Sequence, residues 1–109
     1  MINVYLEYRD DDIVAFTVEG HAGYAQSGSD IYCAAVSAIT QTALLGLLNL
    51  MEIKPRYSMG KGLLLCELPN QLSSSDRERA RIILTTMEMG LKTMQETSGE
   101  YLKITIRRL

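Results

Sequence analysis

Between Asp30 and Glu52 run 21 residues, Ile31 to Met51, without a single charged side chain. A segment that long and that apolar has to be sheltered from water over much of its surface, by lipid or by the rest of a folded domain. Ser37, Thr40, Gln41, Thr42 and Asn49 interrupt it, and acidic residues bound it at both ends. The sequence therefore predicts a helix within a soluble domain and no membrane span. Ile39, Leu44, Leu47, Leu48 and Leu50 are spread widely around the helix axis, while Ala34, Ala35, Ala38 and Ala43 allow close approach. Little of this helix is expected to face water, and it is expected to be the central one. Asp30 is the expected N-cap, its carboxylate accepting from the free amides of a helix that begins at Ile31.

The flanking segments follow a different period. Ile2, Val4, Leu6 and Tyr8 alternate with Asn3, Tyr5, Glu7 and Arg9, which predicts a strand with one face on a core. Asp10-Asp11-Asp12 makes a turn, and Ile13 to Glu19, with Val14, Phe16 and Val18 on one parity, completes an antiparallel hairpin. Gly20 to Ser29 breaks all periodicity. Ile53 to Met59 and Leu63 to Leu68 read as two strands joined by Gly60-Lys61-Gly62, with Pro55 marking an edge position or a strand start. Ser75 with Glu78 fits a capping box, and Ala80, Ile83, Leu84, Met87, Leu91 and Met94 then form one apolar stripe of a helix that ends near a left-handed Gly99. Leu102, Ile104 and Ile106 alternate in a last strand. The order is ββαββαβ, an α+β layer protein with a sheet of about five strands packed with two helices, and residues 1–109 form one domain.

Eleven basic and thirteen acidic residues leave a formal charge of −2, with a pI near 5.3, so the chain lacks the cationic excess that direct nucleic-acid binding uses. The first ten residues carry no basic start followed by an apolar core, so no secretory signal is read there and the expected compartment is the cytoplasm. Cys33 and Cys66 are too few and too far apart for a disulfide scaffold or a zinc site, and with one histidine no metal is expected. No Gly-rich phosphate motif is present, and Asp30 puts negative charge where a phosphate would sit. Arg77, Arg79 and Arg81 alternate with Asp76 and Glu78, which reads as an ordinary solvated helix face.

Chemistry concentrates around the glycine-containing loop. His21, the one histidine, ends the second strand, and Cys33 lies twelve positions later, in the first turn of the expected helix. A helix N-terminus favours a thiolate, and a nearby imidazole can take the thiol proton and return it to a leaving group. Asp30 can orient that imidazole or cap the helix, but it cannot fully do both. From the residues alone Cys33 is equally readable as a small side chain packed beside Ala34 and Ala35, in a non-catalytic binding module. Cys66, inside Leu63-Leu64-Leu65-Cys66-Glu67-Leu68, reads as an inert strand residue.

Gly20-His21-Ala22-Gly23-Tyr24-Ala25, followed by Gly28-Ser29-Asp30-Ile31-Tyr32-Cys33-Ala34-Ala35-Val36-Ser37, resembles the two motifs of the ribosomal-processing cysteine protease family, Prp. The chain length and the ββαββαβ order agree with that family as well. The resemblance implies that Cys33 is the nucleophile, His21 the general base and Asp30 the family's aspartate. It implies a single protease domain that removes a short N-terminal extension from large-subunit ribosomal protein twenty-seven, acts as a homodimer and needs no cofactor. The loop Ala22, Gly23, Tyr24, Ala25, Gln26, Ser27, Gly28 and Ser29 is then expected to cover the substrate segment and to order when peptide binds. The competing class is a ribosome-associated module that binds without cleaving.

Overall fold

A computed structural model describes residues 1–20 and 27–109, with side chains described for 1–20 and 31–109. Alternation in β1 (Ile2–Arg9) buries Ile2, Val4 and Leu6 on one side and leaves Asn3, Tyr5 and Glu7 on the other. β2 (Asp12–Glu19) returns antiparallel beside it, after a turn in which Asp10 takes a positive φ of 56°. The pairing runs Val4 with Val18, Leu6 with Phe16 and Glu7 with Ala15, then shifts so that Tyr8 faces Ile13. That bulge adds one residue to β2 and reverses its parity. Ile13 is buried and Val14 is only half-buried, which corrects the expectation that Val14 shares a buried face with Phe16 and Val18.

α1 (Ser27–Leu50) and α2 (Ser74–Ser98) flank a hairpin of β3 (Arg56–Gly60) and β4 (Leu63–Glu67), and β5 (Leu102–Arg108) ends the chain's regular structure. All five strands form one sheet in the order β3-β4-β2-β1-β5, with β5 parallel to β1 and the other pairs antiparallel. The α+β reading and the ββαββαβ order hold. Pro55 lies immediately before β3, an edge strand, where its missing N–H removes no ladder bond. Gly62, with φ of 73°, supplies the turn into β4.

Both helices cover the sheet face that carries Ile2, Val4, Leu6, Phe16, Val18, Leu64, Cys66 and Leu102, and that core also takes in Val36, Leu44 and Leu47 from α1 and Leu84, Met87 and Leu91 from α2. The helices pack on each other, Gly46 lying under the Ile83 side chain and Gly90 beside Ile39. The apolar run is more exposed than expected. Only 28 % of the most apolar window of α1 is buried, although its mean hydropathy is 1.7, and Ile31, Ala34, Ala38, Leu45 and Leu50 face outward. Among the described residues, two helices lie on a five-stranded sheet and no third element covers that side, so α1 is a flank of the helical layer rather than its centre. Thr40, a buried polar residue of α1, donates its hydroxyl to the Val36 carbonyl at 2.9 Å.

The helix termini differ from the expectations in three ways. α1 starts at Ser27, four residues earlier than expected, so Asp30 lies within its first turn and is not its N-cap. α2 is capped by Ser73, whose hydroxyl accepts from the Asp76 amide, so the box is not Ser75 with Glu78. The buried Asp76 carboxylate instead accepts from the amides of Glu52 at 2.9 Å and Ile53 at 3.1 Å, tying the end of α1 to the start of α2. Gly99 closes α2 with φ of −61°, in right-handed geometry rather than the left-handed cap expected. Arg77 and Arg81 both pair with Asp12, at 2.8 and 2.9 Å, and Arg79 pairs with Asp76 at 3.6 Å. That helix face is a charge-balanced surface.

A second buried polar cluster was not foreseen. Glu88 of α2 is buried and accepts from the Tyr8 hydroxyl through one carboxylate oxygen, while the other faces Lys92 Nζ at 3.1 Å without hydrogen-bond alignment. Burial, and then the bond to Glu88, push the Tyr8 phenol well above its ordinary range, while the Arg108 guanidinium lies 5.0 Å over its ring.

Candidate active site

One end of the sheet gathers the segments that carry both candidate motifs. β2 ends at Glu19, and Gly20 follows with φ of +87°. The Gly20 amide donates to the Gly62 carbonyl at 3.1 Å, binding the end of β2 to the β3–β4 turn. A Cβ on Gly20 would lie 2.5 Å from the Met1 carbonyl oxygen, so the chain leaves β2 in close contact with the start of β1. The Ile2 amide in turn donates to the Tyr101 carbonyl at 2.9 Å, and the Tyr101 ring stacks on Tyr32 with centroids 4.6 Å apart and planes 17° from parallel. Tyr32 immediately precedes Cys33. From Gly20 through Met1, Ile2 and Tyr101 to Tyr32, an unbroken series of contacts joins the segment leading into His21 to the helix turn that carries Cys33.

Cys33 is a free, half-buried thiol whose side chain packs against the core cluster. With α1 starting at Ser27, Cys33 is its seventh residue and lies in the second turn, not the first as expected. The helix dipole acts mainly within the terminal turn, so its support of a Cys33 thiolate is smaller than a first-turn position would give. A greater share of any activation then falls to a neighbouring base. His21 and residues 22–26 of the expected substrate loop lie outside the described residues, as does the Asp30 side chain, while Ser27, Gly28 and Ser29 belong to α1 and not to a loop.

Cys66 is a contrast within the same protein. It sits on the buried face of β4 opposite Phe16 and Tyr57, and burial, with a smaller contribution from the Glu67 charge, pushes its thiol up to about 12. It is a core residue, as its strand context implied. The Tyr32–Tyr101 stack was missed in the sequence. The two residues are far apart along the chain, and the one local signal was a tyrosine standing between the Gly99 terminus and the last strand.

The sequence profile of the family described as Cysteine protease Prp matches residues 1–103. The protein named Ribosomal processing cysteine protease Prp from Bacillus subtilis is 29% identical over 98 residues, covering 88% of each chain. The protein of the same name from Staphylococcus aureus is 26% identical over 107 residues, covering 95% of this chain and 97% of the relative. The crystal structure of the essential ribosomal processing protease Prp from S. aureus in complex with a substrate peptide superposes with a TM-score of 0.84 at 23% identity, over 98% of this chain and all of that one. A match running from residue 1 to the start of β5, carried by the same sheet and helix pair, leaves one assignment: the chain belongs to the Prp family and is a cysteine protease.

Proposed function

We propose that this protease removes the N-terminal extension of large-subunit ribosomal protein twenty-seven, with Cys33 as nucleophile and His21 as general base. The observation that carries the reading is the convergence, at one end of the sheet, of the β2 exit at Gly20 with the Tyr32–Cys33 turn of α1. The relatives are named ribosomal processing proteases, which supports the substrate class, and the solved complexes of one with substrate and product peptides support its form, a peptide.

In this mechanism the Cys33 thiol gives its proton to the His21 imidazole and the sulfur attacks the scissile carbonyl. The resulting oxyanion accepts from backbone amides, of which residues 27–29 at the start of α1 offer three without an intrahelical acceptor. Imidazolium returns the proton to the departing amine, leaving a thioester on Cys33. Water, deprotonated by the now neutral His21, hydrolyses the thioester and regenerates the thiol. Asp30 supports the imidazolium charge. No cofactor enters any step.

The enzyme acts in the cytoplasm as a homodimer, without direct contact to nucleic acid or membrane. Ile31, Ala34, Ala38 and Leu45 lie on the side of α1 opposite its buried residues, and such an apolar strip on an otherwise charged surface favours a protein partner. The test of the whole reading is cleavage of the source organism's ribosomal protein twenty-seven, with Cys33→Ala and His21→Ala as controls. Retained cleavage in Cys33→Ala would contradict it.

A further inference from the structure

The rotation of α1 about its own axis decides where the Cys33 thiol points, and one side of the helix shows how that rotation is held. Tyr32, Ile39 and Gly46 follow one another at intervals of seven residues, which at ~100° per residue places them within roughly 40° of one side. Gly46 meets Ile83 of α2, and Ile39 meets Gly90. Continued toward the start of α1, that antiparallel register brings Thr97 opposite Tyr32, in the turn that ends α2 at Ser98. Thr97 is exposed, and its hydroxyl donates to the Met94 carbonyl of its own helix. What Tyr32 meets is Tyr101, beyond the helix, the two half-buried rings stacked with centroids 4.6 Å apart and planes 17° from parallel. The Tyr101 backbone is anchored on both sides, its amide donating to the Ser98 carbonyl and its carbonyl accepting from the Ile2 amide, each at 2.9 Å.

We propose that Tyr101 is a positioning residue for the protease reaction, acting through Tyr32 to hold the second turn of α1 in the rotation that presents Cys33. The inference rests on the assignment of Cys33 as nucleophile. Cys33 follows Tyr32 and lies ~100° further round the axis, on the flank that carries the buried Thr40 and Leu44. A side-chain end roughly 5 Å from the axis moves about 1 Å when the helix turns by only about 10–15°. A displacement of that size at a reacting group lowers a rate by up to about a hundredfold. The second-turn place of Cys33 sharpens the requirement, because the helix dipole gives its thiolate less help and the proton has to pass to a neighbouring base. Two stacked rings, each with few side-chain torsions, fix the rotation more closely than aliphatic side chains of similar volume.

The test compares Tyr101→Leu and Tyr32→Leu, which remove the stack, with Tyr101→Phe and Tyr32→Phe, which keep it, on a peptide carrying the N-terminal segment of the source organism's ribosomal protein twenty-seven. Each Leu variant is expected to lose about 10- to 100-fold in kcat with KM within about twofold of wild type. The double Leu variant loses no more than either single one, since all three lack the same contact. Both Phe variants keep kcat within about twofold. Tyr8→Phe, at the far end of β1, is the control for stability, lowering Tm with kcat unchanged. A second readout needs no substrate: the pH midpoint of Cys33 alkylation rises toward the ordinary thiol value of about 8.5 in the Leu variants and stays at the wild-type value in the Phe variants. Leu variants that lose Tm but keep both kcat and the wild-type alkylation profile would overturn the proposal and leave the protease assignment intact. Additive losses in the double variant, or Phe variants as impaired as the Leu variants, would also overturn it. If wild type leaves the peptide uncut, the proposed substrate falls and the alkylation profiles alone decide the positioning role.

Discussion

Replacing Gly20 with alanine tests the link between fold and site at its tightest point. The residue has φ of +87°, which an L side chain adopts at a cost of about 1–2 kcal/mol. The new Cβ would also meet the Met1 carbonyl oxygen at 2.5 Å, and since both groups belong to backbone, one strand end has to shift. Overpacking of that kind costs about 1–3 kcal/mol. Together the two effects predict a destabilisation of about 2–5 kcal/mol. At about 2.1 cal/mol/K of unfolding entropy per residue, a chain of 109 residues loses about 9–22 °C of Tm. Under the proposed mechanism, a shift at the end of β2 also displaces the segment leading into the general base, so kcat should fall further than KM rises. Calorimetry and steady-state cleavage of the ribosomal protein read the two effects separately. A Gly20→Ala protein that melts within 2–3 °C of wild type would refute the backbone argument, and one that turns over normally would refute the coupling of this turn to the site.

Three further perturbations address groups outside the site. Tyr8→Phe leaves the buried Glu88 carboxylate without its hydroxyl donor and should cost about 1.5–3 kcal/mol in urea unfolding, an effect that shrinks when Glu88→Gln is already present; additivity of the two would show that they do not interact. The Asp76 carboxyl is held below its ordinary value of 3.8 by the amides of Glu52 and Ile53. Its folded-state pKa is therefore depressed, so the stabilisation is present above the unfolded pKa and is lost as pH falls through the folded one. The urea midpoints of wild type and Asp76→Asn should thus converge between pH 5 and pH 2, and a pH-independent gap would contradict the assignment. The Cys66 thiol, raised to about 12, should stay unalkylated by iodoacetamide in native Cys33→Ala at pH 8 and react only on unfolding.

Much of the fold could be read in advance because strands with one buried face announce themselves by alternation, as in Ile2, Val4 and Leu6, and because α2 carries a single apolar stripe. The bulge after Glu7 was not legible, since one added residue leaves no compositional trace and shows only as a change of parity from Phe16 to Ile13. The exposure of α1 was misjudged for a related reason: a helix apolar on every side carries no pattern telling which side the rest of the chain can reach. Three consecutive serines, Ser73 to Ser75, offered three possible caps, and the tertiary bond from Asp76 to Glu52 and Ile53 decided among them. At the site, the residue types near His21 and Cys33 were visible, but the start of α1 was misplaced because Asp30 resembles a cap and glycine at position 28 resembles a loop. The contacts that bring the two motif segments to one end, Gly20 with Met1 and Tyr32 with Tyr101, join residues distant in sequence and leave no local signature.

The central claim, that Cys33 cleaves the ribosomal protein's extension, is tested most directly by the intact mass of the source organism's ribosomal protein twenty-seven after incubation with this enzyme. The account predicts loss of one N-terminal segment at a single bond with wild type and an unchanged mass with folded Cys33→Ala. An unchanged mass with folded, dimeric wild type acting on a substrate that carries an extension would contradict it.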